Sequence, residues 1–594
     1  MTPSIRMWLF ACVFLALSPS LLSIQMGSAS IEGVVVVLGT NDPISGAVVE
    51  LSKTSNTTGT PIWEAVKVTT GDDGKFAFRS LAPGEYRLVA VKPGGTYNPA
   101  RYGQRTPRST GTPLVLSSAQ VMKDVRLEMA ATGAITGRIY DRSGEPVAYA
   151  RVLAMQDWYH EGNRLLSFVQ AVQTNDRGEF RLFWLPPGKY YVGVRPEDPQ
   201  IAATTTFVNT PDFSGQYFEE VSSIAPLSRT IVDNEVVLET YELTFYGGGT
   251  NPLRAQPIDV RPGTTVPGID IPLAGGTVRA RKIQGTVING ATGQPAPGAY
   301  ISALPKIFMA SRVAPNTTAD ANGKFTIRSL TSEGYNLHFR TGTGPGSLFG
   351  FQAIDAGTDD IENISLVAKP GVPIKGRVSF DGRPPTDNDP DLPRLRIALV
   401  QDPGIAGVPS PPQATPAGDG SFTVQNVGPL GWDFEIYVQG IRPPGTYVKS
   451  IKMGTQDILN AKFYPEVGDS QRGGLHVDGP VDQLLEIVLG LGTGTIEGVA
   501  LDAKQQIVPY RTVVLLPDVP LRHRFDLHRT TTTDTSGRFR LPNVTPGSYK
   551  IFAFDNIPPG AWEDATMMLG YEGGGRSIRV QENSKDNLEL RVIP

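Results

Sequence analysis

Apolar and polar residues alternate along most of this chain in runs of five to nine, and the runs are punctuated by Gly, Pro, Asn and Asp. In "TGDDGKFAFRSLAPGEYRLVAV" (70–91), Phe76 and Phe78 alternate with Lys75, Ala77 and Arg79. Period two marks a strand with one buried face. Asp72-Asp73-Gly74 ahead of it and Pro83-Gly84 behind it carry turn chemistry: an Asp side chain binds the backbone two residues on, and Gly accepts positive φ. Tyr86, Leu88 and Ala90 then alternate again, so the stretch is predicted to be a hairpin or meander.

The pattern occurs five times, at "DGKF", "RGEF", "NGKF", "DGSF" and "SGRF", ending in Phe76, Phe180, Phe325, Phe422 and Phe539. Five residues later stand Leu81, Leu185, Leu330, Val427 and Val544, and five later again Tyr86, Tyr190, Tyr335, Trp432 and Tyr549. Invariant spacing predicts a shared hairpin register, with these side chains in the core. Each copy opens on an Ile-x-Gly strand whose Ile (31, 135, 283, 374, 496) precedes the Phe by 45, 45, 42, 48 and 43 residues. A second apolar strand lies between, and each copy closes on two alternating strands, as in "PLVLSSAQVMKDVRLEM" (113–129). About seven strands per unit, with a period of roughly 90–140 residues, indicates whole domains in tandem. Short strands with regular turns indicate β-sandwiches, since a lone hairpin is not stable in water. The expected division is 1–29 signal peptide, 30–131 sandwich 1, 132–279 sandwich 2 with an insertion near 198–245, 280–370 sandwich 3, 371–492 sandwich 4 and 493–594 sandwich 5. The fourth copy is degenerate: Leu430 stands where the turn Gly is expected.

The pattern I-x-G-x-V, P-x-x-x-A-x-V, D-x-x-G-x-F-x-F-x-x-L-x-P-G-x-Y resembles the carboxypeptidase regulatory-like domain. It is clearest in "ITGRIYDRSGEPVAYARVLA" (135–154) and "TNDRGEFRLFWLPPGKYYVGV" (174–194). The resemblance implies an all-β chain of five tandem seven-stranded prealbumin-like (transthyretin-like, Ig-like) sandwiches. It also implies an exported bacterial protein acting in adhesion, polymer binding or display. A fold of this kind hosts many roles, so activity must be argued from a site.

Length and composition agree with several domains: 594 residues exceed one core, and 65 Gly with 50 Pro suit many turns. The net charge of -4 and the lack of a basic stripe argue against nucleic acid as a partner. Arg6, the apolar run "MWLFACVFLAL" (7–17) and "GSAS" (27–30) read as a secretory signal cleaved after Ala29. That run is too short to span a bilayer, so the mature chain is expected to have no membrane span and to lie in the periplasm, at the cell surface or outside the cell. Cys12 is the only cysteine, which removes thiol catalysis and disulfides from the mature chain.

Catalytic signatures are missing. None of the five histidines (His160, His338, His476, His523, His528) is followed by Glu three residues on, so the zinc-peptidase pair is absent. There is no Gly-x-Ser-x-Gly elbow and no P-loop. "GDDG", "NDRG" and "DANG" hold too few oxygen ligands before the next strand for a calcium loop and read as turns. No catalytic residue, metal or cofactor is expected.

Binding remains. Trp158 and Tyr159 are expected in a polar loop after a strand, and Trp562 in "PPGAWEDATMM" is similar. Amphipathic aromatics of this kind suit stacking on sugar rings. The expectation is a non-enzymatic binding protein for polysaccharide or a cell-surface protein, with Trp158, Tyr159 and Trp562 as ligand-binding residues. The alternatives are a ligand-free spacer or display stalk, and a carbohydrate-active enzyme.

Overall fold

A computed structural model describes residues 28–594 except 54–64, 107–108, 110, 161–162, 197–227, 233–234, 242, 275–276, 280, 306–315, 331–333, 343, 356–358, 384–388, 401–411, 429–433 and 461–473. Residues 1–27 of the expected leader 1–29, Leu430, Trp432 and the first part of the insertion lie outside the described residues.

The chain is all-β, as the alternation predicts. In the first copy the strands are β1 (Ala29–Val37), β2 (Val48–Lys53), β3 (Val66–Thr69), β4 (Lys75–Leu81), β5 (Gly84–Val91), β6 (Ala100–Arg101), β7 (Leu114–Leu116) and β8 (Val121–Met129). One sheet has the order β4-β1-β8; the other has β3-β2-β5-β6, with β7 also paired to β5. β1 runs antiparallel to β4 and parallel to β8. The two sheets face one another across a cluster that includes Ile31, Val49, Phe76, Phe78, Tyr86, Leu88 and Leu127. Each buried aromatic of this kind is worth about 2 kcal/mol of apolar burial. Four further clusters draw on 135–273, 283–368, 374–489 and 496–590. The motif Phe, the Leu or Val five residues on and the described motif tyrosines are buried throughout.

Three devices recur and explain the motif. Gly of Ile-x-Gly lies where the closing strand comes closest: a Cβ on Gly33 would stand 2.1 Å from Val125 O, and one on Gly137 2.0 Å from Ile269 O. The motif tyrosine caps the Pro-Gly turn, its hydroxyl donating to a carbonyl four residues back: Tyr86 to Ala82 (2.7 Å), Tyr190 to Pro186 (2.6 Å) and Tyr549 to Thr545 (2.7 Å). A buried threonine six residues before the Phe ties strand to turn. Thr70 Oγ1 donates to Ile44 O (2.6 Å) and accepts from Ala47 N (2.9 Å). Thr174 does the same with Val147 O (2.7 Å) and Ala150 N (2.8 Å).

The acidic turns are Asx turns. Asn175 Oδ1 accepts from Arg177 N and Glu179 N, and Asp320 Oδ1 from Asn322 N and Lys324 N. The later part of the insertion forms a hairpin, Ser228–Val232 with Glu235–Tyr241, which pairs onward with Thr277–Arg279. The only α-helix among the described residues is the five-residue Ala565–Leu569, capped by Asp564.

The copies do not form a straight string. Neighbours touch: Thr132 Oγ1 donates to Gly95 O (2.9 Å), Asn426 Nδ2 to Gly344 O (2.9 Å) and Tyr447 Oη to Glu582 Oε1 (2.9 Å). The fifth copy also returns to the first, where Arg105 Nη1 lies 2.9 Å from Asp555 Oδ1. It meets the second as well, through Tyr159 and Gly560.

Candidate functional site: the junction of the second and fifth copies

The second copy carries a long hairpin, Arg151–His160 with Asn163–Gln173. Trp158 and Tyr159, expected in a loop, are in its first strand, whose pairing runs out to His160 opposite Asn163. The strand persists past the core because a cross-strand ion pair holds its end: Arg164 Nε is 2.8 Å from Asp157 Oδ1. Arg164 Nη2 also donates to Tyr191 Oη (2.7 Å), and its guanidinium lies over the Tyr191 ring, 5.7 Å from the centroid.

Alternation puts Asp157 and Tyr159 on one face of the strand and Trp158 on the other. The Tyr159 face continues from Leu153 and Met155, which form a second cluster with Tyr191 and Phe245 on the outside of the sandwich. That outer face meets the fifth copy. A cluster of Val514, Leu516, Phe552, Phe554, Ile557, Ala561 and Met568 is covered by both Tyr159 and Trp562, each partly buried. The contact is close: a Cβ on Gly560 would stand 3.0 Å from Tyr159 O. Gly560 has φ +80°, which lets the turn before the 3-10 helix Ala561–Glu563 form without a side chain there. Of the three expected ligand residues, Tyr159 and Trp562 thus share one junction, while Trp158 is partly buried on the opposite face.

The junction has distinct electrostatics. Burial pushes the Glu563 carboxyl up to about 7. Burial, and then the charge of Asp157, push the Tyr159 hydroxyl up. Asp564 is occupied as the helix N-cap, accepting from Thr566 N (2.9 Å) and Met567 N (3.0 Å). Asp157 is occupied by Arg164. Among the described residues no three His, Cys, Asp or Glu side chains converge as a metal site. Aromatic rings beside a fixed Asp–Arg pair suit recognition of a polyhydroxylated surface.

Two features were not singled out by pattern. A depression of about 580 Å³ on the second copy is lined by Arg138, Tyr140, Asn175, Glu179 and Asp270, and Glu179 already engages Arg138 at 2.6 Å. Trp184 is 49% exposed and has φ +54°. The equivalent bulge positions hold Ser80, Asn426 and Asn543, also at positive φ. Side chains at αL are usually small and polar, so the mismatch with the other copies was the available signal.

With the sandwich topology and Ile-x-Gly packing established, the family comparison is direct. Residues 30–112 match the model of the carboxypeptidase regulatory-like domain. The matched stretch runs from β1 past β6, ending just before β7, and includes the whole Gly-x-Phe to Pro-Gly-x-Tyr motif. No curated protein matches the chain. Similar solved structures include a streptococcal ancillary pilin, at 14% identity over 40% of this chain and 63% of that one, TM-score 0.20. The minor pilin of Streptococcus agalactiae is 13% identical over 41% of this chain and 95% of that one, TM-score 0.21. The major pilin subunit of Bacillus cereus is 11% identical over 57% and 99%, TM-score 0.14. At such TM-scores the likeness carries no argument about function.

Proposed function

We propose that the chain is a non-enzymatic, exported binding protein of the cell surface or periplasm. Its five sandwich domains occupy 30–131, 132–279, 280–370, 371–492 and 493–594. Its ligand is carbohydrate, bound at the rim of the junction where Tyr159 and Trp562 stand together, with Trp158 a secondary contact. One observation supports this most: two aromatics chosen for sugar stacking, from the second and fifth copies, cover the same cluster. The Asp157–Arg164 pair beside them supplies planar hydrogen-bonding groups of the kind that bind hydroxyls. A spacer that acts by length gains nothing from a fifth copy folded back on the first.

The test is a glycan array probed with the secreted chain and with the W562A, Y159A and W158A variants, each checked by circular dichroism. Specific binding that drops at least tenfold in W562A and Y159A, and less in W158A, is expected. Absence of binding to any glycan by the parent chain, or full binding by W562A, overturns the reading.

A further inference from the structure

The ligand junction is assembled from copies that are not neighbours in the chain. Tyr159, Asp157, Arg164 and Tyr191 come from the second, and Trp562 and Glu563 from the fifth. The junction therefore exists only while the fifth copy lies against the first two. Contacts between the fifth copy and the first combine polar pairs with one aromatic contact. Arg105 Nη1 donates to both the carbonyl (3.0 Å) and the carboxylate (2.9 Å) of Asp555, across 450 residues of sequence. Asp555 is also held from within the fifth copy, where Arg511 Nε lies 3.0 Å from the same carboxylate oxygen, so only Arg105 reaches it from the first. Tyr102 and Tyr510 meet edge to face at 6.4 Å. Thr112 Oγ1 donates a long hydrogen bond, 3.4 Å, to Thr533 O.

We propose that this contact is a clasp that controls ligand binding: when it is closed, the two halves of the aromatic junction meet, and when it opens, the site is lost. Three arguments support a clasp in place of a fused interface. The charged side chains are substantially exposed, Arg105 at 37% and Asp555 at 44%, so solvent and salt screen them. Polar contacts between domains are the kind that exchange between closed and open arrangements. The core of each copy is separate from the clasp, since the five main clusters each draw on one copy. Opening thus leaves every sandwich intact.

Linkage follows. A ligand touching both halves binds only the closed form and so favours closure; opening the clasp lowers its apparent affinity by the factor by which the closed population falls. Control of binding rests on the reading of the junction as the ligand site, whereas closure does not.

The test is small-angle scattering of the full secreted chain, with glycan binding measured on the same samples. Arg105→Glu and Asp555→Arg place like charges at the clasp on exposed side chains, and circular dichroism verifies that the sandwiches persist. An increase in radius of gyration on the order of a quarter is expected for each single variant, with recovery in the double variant R105E/D555R. Molar salt should expand the parent chain similarly. A radius unchanged in both single variants overturns the clasp. Undiminished glycan binding by an expanded R105E overturns the control of binding while leaving closure standing. A parent chain that scatters as closed yet binds no glycan overturns the ligand reading on which that control rests.

Discussion

Tyr190 donates its hydroxyl to Pro186 O at 2.6 Å from a position with no exposed surface. The ring fills the core of the second copy, and the hydroxyl satisfies a carbonyl that the Pro-Gly turn leaves without a strand partner. Tyr190→Phe leaves that buried carbonyl unpaired and is expected to cost about 1–2 kcal/mol. Tyr190→Ala adds a cavity and is expected to cost about 3–5 kcal/mol. Hydrogen exchange resolved by segment is the measurement, because a chain with several cores does not unfold in one step. Protection should fall across 133–195 and remain unchanged across 496–593.

Gly33 tests the opening motif. Its missing side chain makes room for Val125 O, which would lie 2.1 Å from a Cβ. Gly33→Ala must therefore push β8 away from β1 and break the parallel pairing that joins the ends of the first copy. Limited proteolysis should cut the variant between 30 and 131 while leaving later copies resistant. Replacing Gly144, whose added Cβ would meet nothing within 4 Å, tests positive φ alone (+84°). Its effect should be about 1 kcal/mol and local to that turn.

The pH dependence of the junction has a definite sign. Glu563 has its folded-state value raised from 4.5 to about 7 by burial. Between those values the folded state holds a proton that the unfolded chain gives up, so stability falls as pH rises through that window and levels off above it. Asp555 behaves oppositely. Its hydrogen bond from Arg105 holds it below 3.8, so its contribution is complete above that value and disappears as pH falls through the folded value. Hydrogen-exchange protection across 496–593 in the parent and E563Q, corrected for the intrinsic rate at each pH from 4 to 8, should converge at the acid end and separate towards neutrality, E563Q being the better protected there.

What was legible in the sequence is what local spacing determines. Phe76, Leu81 and Tyr86 could be assigned to a core because alternation and five-residue intervals fix which face they share, and all three are buried. Gly74 and Asp73 read as a turn for the same reason. Thr70 was not legible. A lone threonine before a turn looks solvated, and its partners Ile44 and Ala47 are reached only when the second strand packs back. Trp158 and Tyr159 were legible as a pair of amphipathic aromatics, but they were expected in a loop and lie in a strand. The strand end is held by Arg164, across the hairpin from Asp157. The return of the fifth copy had no local signature at all. Arg105 and Asp555 each read as an ordinary surface charge, and only three-dimensional packing brings them together.

That return is the central claim, and distance across it is the direct test. In a Cys12→Ser background, which has no other cysteine, Arg105→Cys and Asp555→Cys can be labelled and probed with a short bis-maleimide at low protein concentration. Intramolecular cross-linking within monomers, at a yield far above that of a control pair such as Arg105→Cys with Lys375→Cys, is the predicted result. Equal yields for the two pairs, or products that are only intermolecular, would contradict a chain whose fifth copy is held against its first.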